Sequence, residues 1–130
     1  MPESGLSKKD RIRLSRDYQR IKQAGKRFRT QNFLVNYQIA EGGRIRLGVI
    51  VTGRMKRACD RNRAKRLLRE FFRLNRGEIK AGFAQALNHN ELGLDLIVIA
   101  YPGAEKLKYN EVKQELEAGL KKEAKRIRKG

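Results

Sequence analysis

Acidic residues are scarce in this chain: 14 Asp and Glu stand against 32 Lys and Arg, leaving a formal charge of +18 over 130 residues. Such a charge repels itself in the folded state and calls for a polyanionic partner, nucleic acid first and an anionic membrane surface second. Long apolar runs are missing as well. None approaches the roughly 20 residues that span a bilayer, and Met1 to Lys9 has no apolar stretch of a secretory signal. The single cysteine, Cys59, excludes an internal disulfide, so the expectation is a cytoplasmic protein without a membrane partner. Proline occurs only at Pro2 and Pro102, and neither marks a domain boundary. The reading is one nucleic-acid-binding domain over residues 1–130, with 1–8 and 126–130 expected to be flexible. At 39% apolar the chain can still bury a modest core.

Catalytic groups are also lacking. A metal-dependent protein nuclease needs clustered carboxylates or histidines. Here Asp60 and Glu70 fall on different faces of one helix, Asp95 is alone in its strand, and His89 is the only histidine, read as a surface residue in a loop. Cys59 has no histidine or second cysteine beside it and reads as a small residue at the edge of the core. There is no glycine-rich phosphate loop, since Gly42-Gly43 reads as a turn, and no small-molecule substrate is indicated.

What is present has a clear order. Ser15 can cap a short helix that carries Tyr18 and Ile21 and stops at Gly25. A short strand near Lys26 to Phe28 flanks a longer one, in which Phe33, Val35, Tyr37 and Ile39 alternate with Leu34, Asn36 and Gln38. Glu41-Gly42-Gly43 turns the chain into Ile45, Leu47, Val49 and Val51, and the two runs read as an antiparallel hairpin. A basic helix follows from about Ala58 to Asn75, with Gly77 as its stop. Residues 78–93 read as a loop with a helical turn near Phe83 to Leu87. Leu94 to Ala100 is a nearly continuous apolar run, as in a central strand. From Tyr109 a last helix carries Val112, Leu116, Leu120 and Ile127 as its stripe. The class is α+β, a small sheet packed by helices.

The basic helix carries the functional argument. At about 100° per residue, Ala64, Leu67, Leu68, Phe71 and Phe72 share a core face. Asn62, Arg66, Arg69 and Arg73 lie opposite; Arg61 and Lys65 flank one side, Arg63 and Glu70 the other. Arg54, Lys56 and Arg57 stand just before the helix start. Over residues 54–76 ten bases meet two acids, so most of the charge cannot be paired locally. Arginine offers a planar fork suited to phosphate oxygens and base edges. Asn62 adds a group that both donates and accepts, as reading a base or a 2′-hydroxyl requires. A solvated basic face is the bland alternative, and the unpaired column weighs against it.

Residues 50–73, IVTGRMKRACDRNRAKRLLREFFR, resemble the signature of the bacterial ribonuclease P protein component: a strand, a basic turn, Arg61-Asn62-Arg63-Ala64-Lys65-Arg66, then Arg69-Glu70. Ser7 to Ile12, Asp17-Tyr18, Leu47-Gly48-Val49 and Asp95 to Ala100 also fit, so the resemblance covers roughly residues 7–120. It implies an α-β-β-β-α-β-α fold with a left-handed β-α-β crossover, against the general rule, like the second domain of a small-subunit ribosomal protein. It also implies a ribonuclease P RNA as partner and precursor tRNA as the substrate of the complex. Removal of the 5′ leader would be Mg²⁺-dependent, with the ion held mainly by the RNA and catalysis carried by it. The RNR helix would contact the RNA, and a cleft between the first helix and the open sheet face would hold the leader. Tyr18, Lys22 and Asn36 match the cleft positions, although Lys22 and Asn36 stand where other members have aromatics. Tyr18 serves equally well as a stacking platform or as core. Lys56 replaces a glycine common before the motif, and residues 82–93 resemble an insertion. The alternative is a non-catalytic ribosomal or general RNA-binding protein.

Overall fold

A computed structural model describes residues 8–12 and 15–129. After a 3-10 turn at Lys8–Asp10 come α1 (Ser15–Ala24), β1 (Lys26–Arg29), β2 (Phe33–Ala40), β3 (Ile45–Val51), α2 (Ala58–Leu87), β4 (Gly93–Ala100), a second 3-10 turn (Ala104–Lys106) and α3 (Tyr109–Lys129). The order α-β-β-β-α-β-α is the expected one. Residues 1–7 and 130 lie outside the described residues, whereas α3 continues through Lys129.

The strands form one sheet in the order β1-β2-β4-β3. β2 and β3 are therefore not a paired hairpin, as their sequences had implied. β4 lies between them, antiparallel to β2 from Phe33↔Ala100 to Ala40↔Gly93 and parallel to β3 from Ile45↔Leu94 to Val51↔Ala100. The physical reason is burial. Seven of the eight residues of β4 are fully buried, and a strand that is apolar on both faces belongs at the centre of a sheet. The turn after β2 straddles the start of β4 instead of closing a two-strand ribbon. Leu94 N donates to Arg44 O, and a Cβ on Gly93 would meet the carbonyl oxygens of Glu41 and Arg44 at 2.9 and 3.0 Å.

One sheet face presents Phe33, Val35, Tyr37, Leu47, Leu94, Leu96 and Val98 to α2 and α3. Helix α2 contributes Ala64, Leu68, Phe71 and Phe72, all buried; Leu67, expected to join them, is only partly buried. Burying each of the larger side chains contributes about 2 kcal/mol. Helix α1 covers part of the other face, where Ile21 packs with Ile12 and Ile97, and Tyr18 and Ile99 close the cluster.

Helix α2 does not stop at Gly77. It runs 30 residues to Leu87 and ends at Asn88, whose left-handed backbone (φ 52°, ψ 50°) returns its N–H to the last carbonyls. The span 78–93 read as a loop is thus mostly helix, and the first residues of the stretch 82–93 belong to α2. Its core stripe continues through Asn75, Ile79 and Phe83 at four-residue steps.

Candidate nucleic-acid interface

The helix that presents the basic column is fixed at its start by its own arginines. Arg57 precedes α2 in an extended conformation and gives no side-chain cap. Asp60 stands in the first turn, where a carboxylate suits the helix dipole, and lies 3.9 Å from Arg57 Nε. The Arg61 guanidinium donates to the carbonyls of Met55 (2.9 Å) and Lys56 (2.7 Å), tying down the loop that delivers the chain. Arg63 donates to the carbonyls of Glu105 (2.6 Å) and Leu107 (3.1 Å), so it clamps the 3-10 turn before α3. Two arginines of the RNR triplet therefore hold backbone.

Asn62 does not. It is exposed, as are Arg66 one turn on and Arg54 and Lys56 in the entry loop, while Lys65 is half-buried. None of these five side chains makes a hydrogen bond or ion pair with the described residues. Arg73 is exposed but engaged, forking onto the Glu70 carboxylate at 3.1 and 2.8 Å.

Arg69 is the pivot of the surface. It lies half-buried beside Tyr18 of α1 and Arg11. Burial and the Arg11 charge push its pKa below the usual arginine range, against the opposing influence of Tyr18. A guanidinium in that position stays charged. It is a crowded cation with no carboxylate partner, a setting that a phosphate would relieve. The Tyr18 hydroxyl donates to Ile12 O (3.1 Å), and burial raises its pKa against the lowering effect of Arg69. The structure thus brings together the RNR helix and the α1 aromatic, which the sequence had offered as two sites.

The other two cleft residues are placed differently. Lys22 is exposed, one turn beyond Tyr18 on α1. Asn36 is buried at 6% exposure, opposite Ile97 in register on the α1 side of the sheet. Helix α1 is held there by an ion network. Arg46 forks onto Asp95 at 2.9 and 2.8 Å, and Arg20 reaches the same carboxylate at 3.0 Å and also bonds Gln38. Asp17 on α1 lies 3.5 Å from Arg20 and 3.8 Å from Arg46. Burial would raise the Asp95 pKa, but the hydrogen bonds and charges of Arg46 and Arg20 outweigh it and hold the carboxyl below its usual range. Asp95 is alone in its strand but not in space.

Because α2 is longer than its sequence suggested, the column is longer too. The spacing Asn62, Arg66, Arg69, Arg73 continues to Arg76 and Lys80 in the same alternation of three and four, roughly 27 Å at the helical rise. Arg76 pairs with Asp10 (2.7 Å) and Lys80 donates to Gly43 O (2.8 Å). The spacing was the available signal for both, masked by the helix end placed at Asn75. Cys59, expected at the edge of the core, is exposed. His89 follows the α2 cap and lies 3.2 Å from the Glu41 carboxylate. Among the described residues no group of three or more His, Cys, Asp or Glu is placed to hold a metal ion. No described helix is long and apolar enough to cross a membrane.

Comparison with known proteins shows a family and a fold. The family model described as Ribonuclease P matches residues 6–124. A ribonuclease P protein component of Syntrophobacter fumaroxidans is 42% identical over 107 residues, covering 82% of each chain. One from Syntrophus aciditrophicus is 38% identical over 127 residues, covering 98% of each. The solved RNase P protein from Thermotoga maritima superposes with a TM-score of 0.70 at 29% identity, covering 86% of this chain and 96% of that one.

Proposed function

Because the chain belongs to the ribonuclease P protein family, we propose that it is the protein subunit of a bacterial ribonuclease P and assists Mg²⁺-dependent removal of the 5′ leader from precursor tRNA. In this reading the outer face of α2, centred on Asn62, Arg66 and Arg69, lies against the catalytic RNA and the adjoining precursor. Tyr18 and Lys22 on α1 hold the single-stranded leader, with Tyr18 as the platform on which a base stacks. Arg61 and Arg63 act from behind by fixing the loops at either side. Catalysis belongs to the RNA, Mg²⁺ is held mainly there, and the complex works in the cytoplasm.

The observation that carries the reading is the unpartnered cationic face of α2 running up to Tyr18 through Arg69. Those cations meet phosphate without first breaking internal ion pairs, so their counterions are released on binding. Reconstitution with the host's ribonuclease P RNA tests it. Adding the chain lowers the Mg²⁺ needed for precursor cleavage, and the chain alone cleaves nothing at any Mg²⁺ concentration. Robust cleavage without the RNA would overturn the reading. Replacing Arg66 and Arg69 by Ala weakens RNA binding and lowers its salt slope by about two, one per lost phosphate contact. An unchanged slope removes this helix face from the interface.

A further inference from the structure

The α2 column leaves a second concentration of positive charge unexplained, at the opposite edge of the sheet. Residues 121–129 hold six bases and one acid, Glu123. That acid is turned inward at 4% exposure, where it accepts hydrogen bonds from the Tyr37 hydroxyl and the Arg126 guanidinium. The bond to Tyr37 pins the last turns of α3 onto β2. Lys121, Lys122, Lys125 and Arg128 are all exposed. Beside them β1 is a free edge of the sheet and adds Lys26, Arg27 and Arg29, exposed as well. The Arg29 guanidinium lies 4.5 Å above the Tyr101 ring, which orients it without neutralising it. Between β1 and α3 runs a groove of about 550 Å³, floored by Phe28 and walled by Arg27, Lys122, Lys125 and Arg126. Arg27, Lys122 and Lys125 have no side-chain partner among the described residues.

We propose that the β1 edge and the last turns of α3 form a second RNA-binding surface, which takes the phosphodiester backbone of an RNA segment other than the one on α2. The sheet order puts β1 and β3 at opposite edges, and α2 packs on β3 while α3 packs on β1. Three strand spacings separate those edges, roughly 14 Å. Cations outside both helices therefore face different ways, and one chain can hold two RNA segments at once. A membrane surface is the poorer match. An interfacial helix needs apolar residues to insert, and the exposed large hydrophobics among the described residues, Ile50, Leu74 and Leu87, lie on neither β1 nor α3.

The proposal rests on the assignment of the first RNA to α2, and the test separates the two. The full chain is mixed with two short RNA duplexes, one carrying a donor dye and one an acceptor. Energy transfer reports bridging, and sedimentation reports stoichiometry. The wild-type chain gives one protein per two duplexes. Combined Arg27→Ala, Lys122→Ala and Lys125→Ala keeps one-duplex binding and lowers bridging at least tenfold. These side chains are exposed and partnerless, so the fold tolerates their loss, as circular dichroism will verify. A wild-type chain that takes only one duplex and keeps it in the triple variant, or a triple variant that bridges as well as wild type, overturns the proposal. So does a triple variant that loses binding to phosphatidylserine vesicles while its RNA bridging is unchanged. If Arg66→Ala with Arg69→Ala changes nothing while the triple variant loses all binding, the second surface stands and the assignment to α2 falls.

Discussion

A Cβ on Gly48 would lie 2.6 Å from the Tyr18 hydroxyl oxygen and 2.9 Å from the ring carbon that bears it. The position of Tyr18 against Arg69 thus depends on a missing side chain in β3. Tyr18 is tethered to Ile12 O and half-buried, so it cannot step aside freely. Gly48→Ala is expected to cost about 1–3 kcal/mol as an overpacking change and to weaken leader binding together with stability. Gly48→Ala combined with Tyr18→Ala relieves the clash, so the double variant loses less stability than the sum of the two single losses while leader binding stays lost; urea titrations and leader-dependent affinity measure the two. Asp95 carries a different dependence at the same scale. Its folded pKa is depressed, so its contribution is fully present above the ordinary carboxylate pKa of about 3.9 and is lost as pH falls through the lower folded value. Asp95→Asn leaves Arg46 and Arg20 facing a neutral group. Breaking a buried pair costs about 3–5 kcal/mol, and the partial exposure of both arginines reduces this to about 2 kcal/mol. The variant should lose stability at neutral pH and show a flatter acid limb in unfolding midpoints measured from pH 6 down to pH 2. An acid limb as steep as that of wild type would show that Asp95 is not the group that titrates.

At the scale of elements, α2 decides the most. Gly77 and Gly82 sit within it, exposed, and a Cβ at either position would meet nothing within 4 Å. Each replaced by Ala should stabilise the protein by about 0.5–1 kcal/mol, because glycine in a helix interior loses the most backbone freedom on folding. Thermal melts of the single and double variants check this, and substitutions in a loop would leave the melting temperature near that of wild type. The early stop read from the sequence has a physical cause. The core stripe passes through Asn75, which breaks the apolar run. Its amide is satisfied by Phe71 O at 2.8 Å and by the Tyr109 hydroxyl at 3.0 Å, and Tyr109 belongs to α3. No local pattern announces a buried polar residue whose partner is 34 positions away. The β2–β3 pairing failed for a related reason. Alternation identified both strands and their buried faces, but the strand that separates them comes some forty residues later. What depended on periodicity within one element was legible: the core face of α2, its opposing basic column, and the stripe of α3. What depended on distant partners was not, including the Arg61 and Arg63 clamps and the Asp95 network.

The whole molecule is governed by its charge. Fourteen acids can neutralise at most fourteen of the 32 bases, so even complete pairing leaves strong net repulsion, concentrated on the α2 column and on the end of α3. Many of the acids are already committed: Asp95 binds two arginines, Glu123 holds Arg126, Glu70 holds Arg73 and Asp10 holds Arg76. Added salt has opposing effects on such a fold. It screens the repulsion among unmatched cations and it weakens the ion pairs. The exposed pairs contribute little in water, and the Asp95 network is shielded from salt by burial, so relief of repulsion should win. The free protein is therefore expected to melt higher as NaCl rises from about 20 to 200 mM, a range over which the screening length falls from roughly 20 Å to 7 Å. Saturating RNA should invert that sign. Bound RNA stabilises the fold by mass action, and the same salt removes it by restoring the counterions that binding released, so the melting temperature of the complex falls across the range in which that of the free chain rises. Calorimetry of the free chain and of the complex measures both slopes. A free chain that melts lower as salt increases would mean that its ion pairs outweigh its repulsion. The need for a polyanion would then have to be argued from the partnerless side chains of α2 alone, without the net charge.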